Sequence, residues 1–460
     1  MKQRSTGPFS IGNIRCFIAF RIFFNSRFYY PVFTILFLDY GLTIEQFAIL
    51  NSVWAATIVI AEVPSGALAD LLGRKHLLMI TSVLMVVEMM LLSFVPLHNI
   101  SLVFWAFFVN RILSGLAEAM ASGADEALAY DSLLEQGDAE DWPAVLSLTM
   151  RLKSIIAMAT MATGALLYDA DAVNAILEFF GASVQLEQQV TMRFPVYLTL
   201  MLGLLSCGSV IRMKETGGRN RPECRTGAEP EGQVIKVKEA MLLTLRAGRW
   251  IMTTPFALMI ILFGMAFDHI LRMVITMTSQ FLRLVQLPEA SFGLISAAMS
   301  LVGLFIPKVA EEMVQRYTPL QNVLFLFAFT LLTLAGLTLY IPYFGLVPVA
   351  MISAGLMFTS FFTSYYLNRI TDSCQRATVL SFKGLAFNLA YGLIGIAFAA
   401  LIQVLRETGT AGYQVSEGVL QADQNFMDAT FWFIPYTVVV LLLLVIFSVL
   451  RSRGNHRFEP

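Results

Sequence analysis

The sequence predicts an all-α polytopic membrane protein with twelve transmembrane helices, arranged as two pseudo-symmetric six-helix bundles. Three observations predict this class. Of 460 residues, 57% are hydrophobic and only 14% are charged, with a mean hydropathy of +0.70, whereas soluble domains average about 45–50% apolar and about 25% charged residues. About twelve apolar stretches of roughly 20 residues follow one another, each long enough to cross a bilayer. A long basic loop separates the sixth stretch from the seventh. The composition excludes a disordered chain, a nucleic-acid-binding protein and an ordinary cytosolic enzyme.

The apolar stretches are continuous and do not alternate, which excludes a membrane β-barrel and leaves helices that satisfy their own backbone hydrogen bonds. The predicted spans are 13–38, 44–66, 76–97, 100–133, 143–168, 192–212, 252–281, 289–310, 319–342, 345–370, 378–404 and 428–450. In the first span, Tyr29, Tyr30 and Pro31 predict a kink.

Lysine and arginine collect in one set of loops, with Arg74, Lys75 and the segment 212–249 as its main members. Acidic residues such as Asp39, Asp169 and Glu407 collect in the other set. By the positive-inside rule the basic loops are cytoplasmic. A multi-pass protein of the inner (plasma) membrane with both termini in the cytoplasm is therefore expected. The expected domains are an N-terminal bundle over 1–212, a cytoplasmic linker loop over 213–250, whose end is either an amphipathic surface helix or an extension of the seventh span, and a C-terminal bundle over 251–460.

Motifs of hydrolytic chemistry are absent from the sequence. It contains no G-x-x-x-x-G-K-[ST], H-E-x-x-H or G-x-S-x-G, so neither a P-loop nor a zinc or serine hydrolase site is expected. Four widely separated cysteines and four histidines form no disulfide framework and no metal cluster. The prediction is a protein without enzymatic activity, cofactor or metal, whose energy comes from an ion gradient or from the gradient of its substrate.

The loop between the second and third spans reads Gly-Ala-Leu-Ala-Asp-Leu-Leu-Gly-Arg-Lys over residues 66–75. It resembles the signature G-x-L-A-D-x-x-G-R-K of the major facilitator superfamily at every defined position. The alternative interpretation, a plain turn with stop-transfer cations, explains Arg74 and Lys75 but not the spacing of Gly66, Asp70 and Gly73. The resemblance implies the fold of that superfamily and secondary transport by alternating access.

The fourth span resembles the superfamily as well. Arg111 is followed by Gly115 four residues later and by Asp131 twenty residues later. By resemblance, Asp70, Arg74 and Asp131 form the charge cluster of the inner gate, together with Gly66 and Gly73, and Asp125 is the rival third member. The second-half copy of the loop motif, around 306–316, lacks its Gly–Asp core. The fifth span has one glycine, Gly164, and no proline, which weakens the resemblance to proton-coupled drug exporters.

Ionisable residues inside the spans are costly and mark candidate sites. In the first span the candidates are the ionisable residues Arg21 and Arg27 and the polar residue Asn25. In the fourth, five residues at spacings of four and three predict one polar stripe on a single helix, namely Arg111, Gly115, Glu118, Ser122 and Asp125. The stripe either lines a central cavity or is an ion-pair ladder that fixes packing. Glu118 lies deeper than Asp125 and is the first candidate for proton coupling.

The seventh span places Asp268 one turn before Arg272, either as a self-neutralised pair or as a substrate and proton site. His269 is expected to be a packed polar residue. Glu62 is predicted to pair with Arg21, and Glu88 has no assigned partner. The tenth span contains Tyr365, Asn368 and several other aromatic and hydroxyl side chains. They either pack in the ordinary way or form one wall of a substrate site.

These residues together predict a secondary active transporter for a small organic solute, anionic or zwitterionic because Arg21, Arg27, Arg111 and Arg272 supply cations. Proton-coupled efflux by antiport is the first interpretation and proton-coupled import the second. A receptor or scaffold on a transporter fold is the alternative outside transport. The expected partners are the solute, protons and membrane lipid, with no nucleic acid, and a monomer is expected.

Overall fold

The computed structural model describes residues 7–122, 124–138, 141–215, 242, 248–341, 343, 345–370, 373–408 and 421–455. Within these ranges the regular structure is helical, with no strand. Ten stretches of the described helices are long and apolar enough to cross a membrane. Each of the twelve predicted spans coincides with helix, so the predicted fold class is confirmed and the number of twelve is consistent with it.

The helices before the linker are α1 (Gly12–Asn25), α2 (Phe33–Asp39), α3 (Ile44–Leu72), α4 (Arg74–Phe94), α5 (Ile100–Ala121), α6 (Ala124–Gln136), α7 (Trp142–Tyr168), α8 (Ala170–Phe179), α9 (Gln188–Thr191) and α10 (Phe194–Ile211). Those after it are α11 (Pro255–Thr276), α12 (Thr278–Leu284), α13 (Glu289–Arg316), α14 (Pro319–Leu337), α15 (Leu346–Ile370), α16 (Ser373–Thr408), α17 (Gln421–Phe431) and α18 (Phe433–Asn455).

The chain packs as two units. Unit 1 comprises Met1–Val32, Asp39–Gly41 and Thr57–Leu242, and unit 2 comprises Phe33–Leu38, Leu42–Ala56 and Leu243–Pro460. The core of unit 1 contains fully buried residues of α1, α4 and α6, such as Phe17, Leu78 and Leu128. The main core of unit 2 is built on α11 and α15, where Phe267 and Phe358 are buried.

The first and the fourth predicted spans are each interrupted where a helix ends at a residue with an extended backbone. The first breaks at Ser26, whose backbone is extended (φ −86°, ψ 122°), and a 3-10 turn at Tyr30–Val32 precedes α2. This break confirms the predicted kink, since Pro31 offers no backbone N–H to continue the helix. The fourth span breaks at Ser122, also extended (φ −56°, ψ 112°), which donates its N–H to the Glu118 carbonyl (3.1 Å) before α6 begins.

The break at Ser122 makes the single polar stripe of the fourth span wrong. Because α5 ends at Ala121, Asp125 belongs to a new helix and does not continue the face of Arg111. Arg111 is buried and Glu118 is exposed, so even the part of the stripe inside α5 has two different environments.

Glycine allows α7 to approach the interruption of the first span. A Cβ at Gly164 would lie 1.8 Å from the backbone oxygen of Phe28, a distance that no side chain can occupy. The one glycine of the fifth span is therefore explained by this close contact between helix and backbone.

Candidate functional site

Two deeply buried charges of unit 1 form an ion pair. Arg27 Nη1 lies 2.6 Å from Glu88 Oε1, and the two side chains are 5% and 0% exposed. Arg27 follows the break after α1, and Glu88 lies on the buried face of α4. Because either charge alone would be unstable at this depth, the pair fixes the broken first span against the third.

A polar network continues from this pair into α5. Asn110 Nδ2 donates to the Glu88 carbonyl (3.1 Å), and its Oδ1 accepts from Arg111 Nε (3.0 Å) and Nη2 (2.8 Å). Arg111 also interacts with Tyr29, which is buried beside it. Arg27 and Arg111 therefore lie inside the packed helices of unit 1, with 5% and 4% of their surface exposed.

Arg21 is held by carboxylates of α6. Its Nε lies 2.5 Å from Asp125 Oδ2, and its Nη2 contacts Glu126. Next to it, Asn25 Nδ2 donates to the Arg21 carbonyl (2.8 Å), and Lys153 Nζ of α7 donates to Asn25 Oδ1 (3.2 Å). This group joins α1, α6 and α7 through the buried Asp125 and four partly exposed side chains.

Glu118 stands apart from these pairs. Its side chain is exposed although it lies on a long apolar helix. Within the described part of the chain, no hydrogen bond or ion pair engages its carboxylate, which interacts electrostatically with Arg27 and Lys153. Tyr30, 46% exposed, is close enough to interact with the same carboxylate. An accessible carboxylate without an ion pair can bind a proton or a cationic group of a solute.

At the turn between α3 and α4, Arg74 Nη1 lies 2.5 Å from Asp131 Oδ2 of α6. A second carboxylate, that of Glu215 after the end of α10, also contacts this turn. Its two oxygens accept the backbone N–H groups of Arg74 and Lys75, each at 2.9 Å. A carboxylate at the first turn of a helix is stabilised by the unpaired N–H groups and by the helix dipole.

Gly73 makes this arrangement possible. Its φ is +89°, and a Cβ there would lie 2.9 Å from Glu215 Oε2. His76 Nδ1 lies 3.8 Å from the same oxygen. Glycine at position 73 therefore has two roles: it adopts the positive φ of this turn, and its missing Cβ leaves room for the Glu215 carboxylate.

Residues 213–215 are fixed to unit 1 immediately before the linker. Asn13 of α1 exchanges two hydrogen bonds with the backbone of Lys214, at 2.8 and 2.9 Å, and also donates to Ser132 of α6 (2.9 Å). Met213 is buried in the core. The end of the sixth span therefore connects α1, α6 and the start of α4.

Unit 2 contains its own charged cluster on α11 and α16. Arg272 Nη2 lies 2.6 Å from Asp268 Oδ2, its Nη1 donates to Asn388 (2.8 Å), and its guanidinium lies 5.5 Å from the Tyr391 ring centroid. Lys383 interacts electrostatically with both members of the pair and donates to Ser364 Oγ (3.0 Å). Two cations thus face one carboxylate, and the cluster keeps a positive charge.

The helix α15 presents hydroxyls beside this cluster. A cavity of about 420 Å³ is lined by Pro307, Met357, Ser360, Phe361, Ser364 and Tyr365. Because Ser364 also accepts from Lys383, the cavity adjoins the charged cluster. Its apolar and hydroxyl lining suits a small organic molecule with one polar end.

The sequence profile of the Major Facilitator Superfamily matches residues 15–400. The chain belongs to the Major Facilitator Superfamily. It is accordingly a multi-pass membrane protein and a secondary transporter of a small molecule, and not an enzyme. No curated protein matches it in sequence.

Solved structures of the superfamily share its fold at low identity. A mutant of the nucleoside transporter NupG is 14% identical with a TM-score of 0.68, covering 96% of this chain and 99% of that one. A bacterial homolog to the human lysosomal transporter Spinster, inward-facing and unoccupied, is 13% identical with a TM-score of 0.68 and covers 97% of each chain. The D-xylose-proton symporter is 11% identical with a TM-score of 0.63, covering 95% and 97%.

Two contacts expected from the sequence are present. Asp268 pairs with Arg272, and Arg74 with Asp131. His269 is a packed polar residue, bonded to Met265 and Tyr436. The surroundings of Gly66, the side chains of Asp70 and Asn368, and most of the linker are not among the parts of the chain that the structure describes. The roles in substrate binding, proton coupling and gating stay predictions.

The predicted pair of Glu62 with Arg21 is wrong. Asp125 and Glu126 occupy the Arg21 guanidinium, and Glu62 Oε2 accepts no hydrogen bond from the described residues. The reason is geometric: α6, which begins a new direction after Ser122, brings two carboxylates to α1 that a continuous fourth span would have carried elsewhere.

Three polar residues were missed from the sequence. Glu215 lies just after the sixth span and resembles an ordinary loop charge, whereas Lys153 lies inside the fifth predicted span and Lys383 near the start of the eleventh. Lys383 carried a usable signal, since a lysine inside a predicted span marks a candidate site. Glu215 carried none, because its partners are backbone groups about 140 residues away.

Removing one member of the Arg27–Glu88 pair should destabilise unit 1 strongly. We expect Glu88→Gln to lower the free energy of unfolding by about 3–5 kcal/mol, because it leaves a buried guanidinium unpaired. The matched control Glu126→Gln, whose side chain is 44% exposed, should cost less than about 1 kcal/mol. Denaturant unfolding of the purified protein in detergent measures both, and equal stability of the two variants would contradict a structural role for the pair.

Glu215 should protect the first turn of α4. We expect Glu215→Ala to speed deuterium exchange of the Arg74 and Lys75 amides about fivefold, as for a helix cap worth about 1 kcal/mol. Exchange followed by mass spectrometry on peptides that cover 74–77 measures this. Glu312→Ala, which removes an exposed pair with Arg316, is the control and should leave these peptides unchanged. Identical exchange in Glu215→Ala and the native protein would rule out the cap.

Proposed function

We propose that the protein couples proton movement to the transport of a small anionic or zwitterionic organic solute by alternating access. The observation that supports this best is Glu118, an exposed carboxylate without an ion pair in the described structure. Most other charges inside the helices face a partner of opposite sign. Glu118 can therefore exchange a proton without breaking a salt bridge.

The charged cluster of unit 2 supports a solute with an anionic group. Arg21, Arg27 and Arg272 each face a carboxylate, so the simple count of four cations overstates the positive charge. Lys383 is the remaining cation of the cluster on α11 and α16, beside the hydroxyl-lined cavity. This excess positive charge favours a solute with an anionic group, either alone or as part of a zwitterion.

Proton-coupled efflux is the proposed direction, with import by symport as the second candidate. Symport is favoured by the likeness of the fold to a D-xylose-proton symporter and to proton dependent oligopeptide transporters. We further propose the inner membrane as the location, with the turn that holds Arg74 and Lys75 on the cytoplasmic side, because cations concentrate there. A monomer suffices for this cycle.

Glu118→Gln should uncouple protons from solute. A solute is first found by thermal shift of the purified protein against a metabolite and drug panel, since binding to the native state raises its stability. In proteoliposomes with a pH-sensitive dye, we expect the solute-driven proton flux of the variant to be lower by about tenfold or more, because a neutral amide cannot carry the proton. Solute counterflow should continue.

Glu178→Gln, an exposed carboxylate at the end of α8, is the control and should behave as the native protein. Undiminished proton flux in Glu118→Gln would refute the assignment of the carrier. The direction of the pH gradient that accelerates solute accumulation separates export from import.

A further inference from the structure

A second cavity of unit 2 lies on the opposite face of α15. It measures about 240 Å³ and is enclosed by α11, α14, α15 and α18. Residues 357, 360, 361, 364 and 365 of α15 line the cavity beside Lys383, whereas Thr359, Phe362, Thr363 and Tyr366 line this one. At 3.6 residues per turn these sets point in different directions, so the second cavity is separate from the candidate solute site.

The cavity is apolar at depth and polar at one end. Phe263, Phe267 and Leu326 line its deeper part. At the other end, Asn322 Nδ2 donates to Tyr366 Oη (2.7 Å), and the Tyr366 ring lies 6.4 Å from that of Phe256. Asn322 is 1% exposed, and its Oδ1 accepts no hydrogen bond from the described residues. A buried acceptor without a partner in the protein is available to a donor from water or from a ligand.

Cations surround the polar end. Arg369 is exposed one turn after Tyr366 and interacts with it electrostatically. Arg451 donates to the carbonyl of Met252, one turn before Phe256. Ser448, which lines the cavity, lies three residues before Arg451. None of the described lining residues is acidic, so the opening is complementary to an anion.

The opening faces the apolar surface of the unit. Leu320 is 67% exposed and Phe256 43% exposed, and both line the cavity. In a membrane protein, exposed apolar side chains contact lipid. The helix ends that carry Arg369 and Arg451 place the cations at the edge of the apolar zone, the depth of lipid headgroups.

We propose that this cavity binds one acyl chain of an anionic phospholipid, with the phosphate at Arg369 and Arg451 and a headgroup or glycerol hydroxyl near Asn322. Each acyl methylene that enters leaves the bilayer for a comparable apolar environment, so affinity comes mainly from the charged and polar end. The proposal depends neither on the solute nor on proton coupling.

The test uses the full chain, purified and delipidated in detergent. Phosphatidylglycerol is added and compared with phosphatidylcholine of the same acyl chains. We expect phosphatidylglycerol to raise the melting temperature saturably, by about 2 °C or more, and phosphatidylcholine to raise it less. Equal shifts with the two lipids would overturn the proposal.

Two pairs of variants locate the site. Val323→Phe fills the cavity and should abolish the shift, whereas Leu332→Phe, 64% exposed on the same helix, should keep it. Arg369→Gln combined with Arg451→Gln should remove the preference for phosphatidylglycerol, whereas Arg316→Gln should not. A full shift in Val323→Phe would overturn the proposal.

Native mass spectrometry of the unmodified protein gives an answer that does not depend on any variant folding. We expect one phosphatidylglycerol per chain to survive collisional activation that removes phosphatidylcholine. Loss of both lipids at the same energy would contradict a built site.

Discussion

A guanidinium buried between membrane helices must be neutralised, and the pairing of Arg27 with Glu88 is the contact on which unit 1 depends. The pair joins the interrupted first span to α4. Its backbone and side-chain neighbours Asn110, Arg111 and Tyr29 extend it into α5. The buried pair and its hydrogen bonds therefore hold the interrupted first span, α4 and α5 together. The same requirement explains Asp268 and Arg272 in unit 2, where the pair lies along one helix.

Neutralisation of these charges leaves a small number of groups available for transport. Glu118 is exposed in unit 1, and Lys383 adds a positive charge beside hydroxyls of α15 in unit 2. The turn that carries the signature motif is built differently, from backbone amides: Glu215 closes the first turn of α4 where Gly73 leaves room for it. Buried pairs thus hold the scaffold, and the proposed binding and proton exchange are assigned to the charges that remain.

The all-α class, the membrane spans and the superfamily could be predicted from the sequence, because apolar length and the 66–75 motif are local signals. The pairs within one helix, such as Asp268–Arg272, could also be predicted, since spacing of four residues fixes them. Pairs between helices could not. The break at Ser122 redirects α6, so Asp125 and Glu126 reach Arg21 in place of Glu62. The residue pattern around Ser122 does not by itself specify that break, because small residues also occur inside unbroken membrane helices.

The central claim is that Glu118 is the intramembrane carboxylate that exchanges protons while the paired carboxylates do not. Infrared difference spectroscopy of the purified protein between mildly acidic and mildly alkaline buffer tests it directly, through the carbonyl stretch of a protonated carboxyl group. The account predicts that this band disappears in Glu118→Gln and persists in Asp268→Asn. A band that persists in Glu118→Gln and disappears in Asp268→Asn would contradict this claim and would identify Asp268 as the carboxylate that exchanges protons.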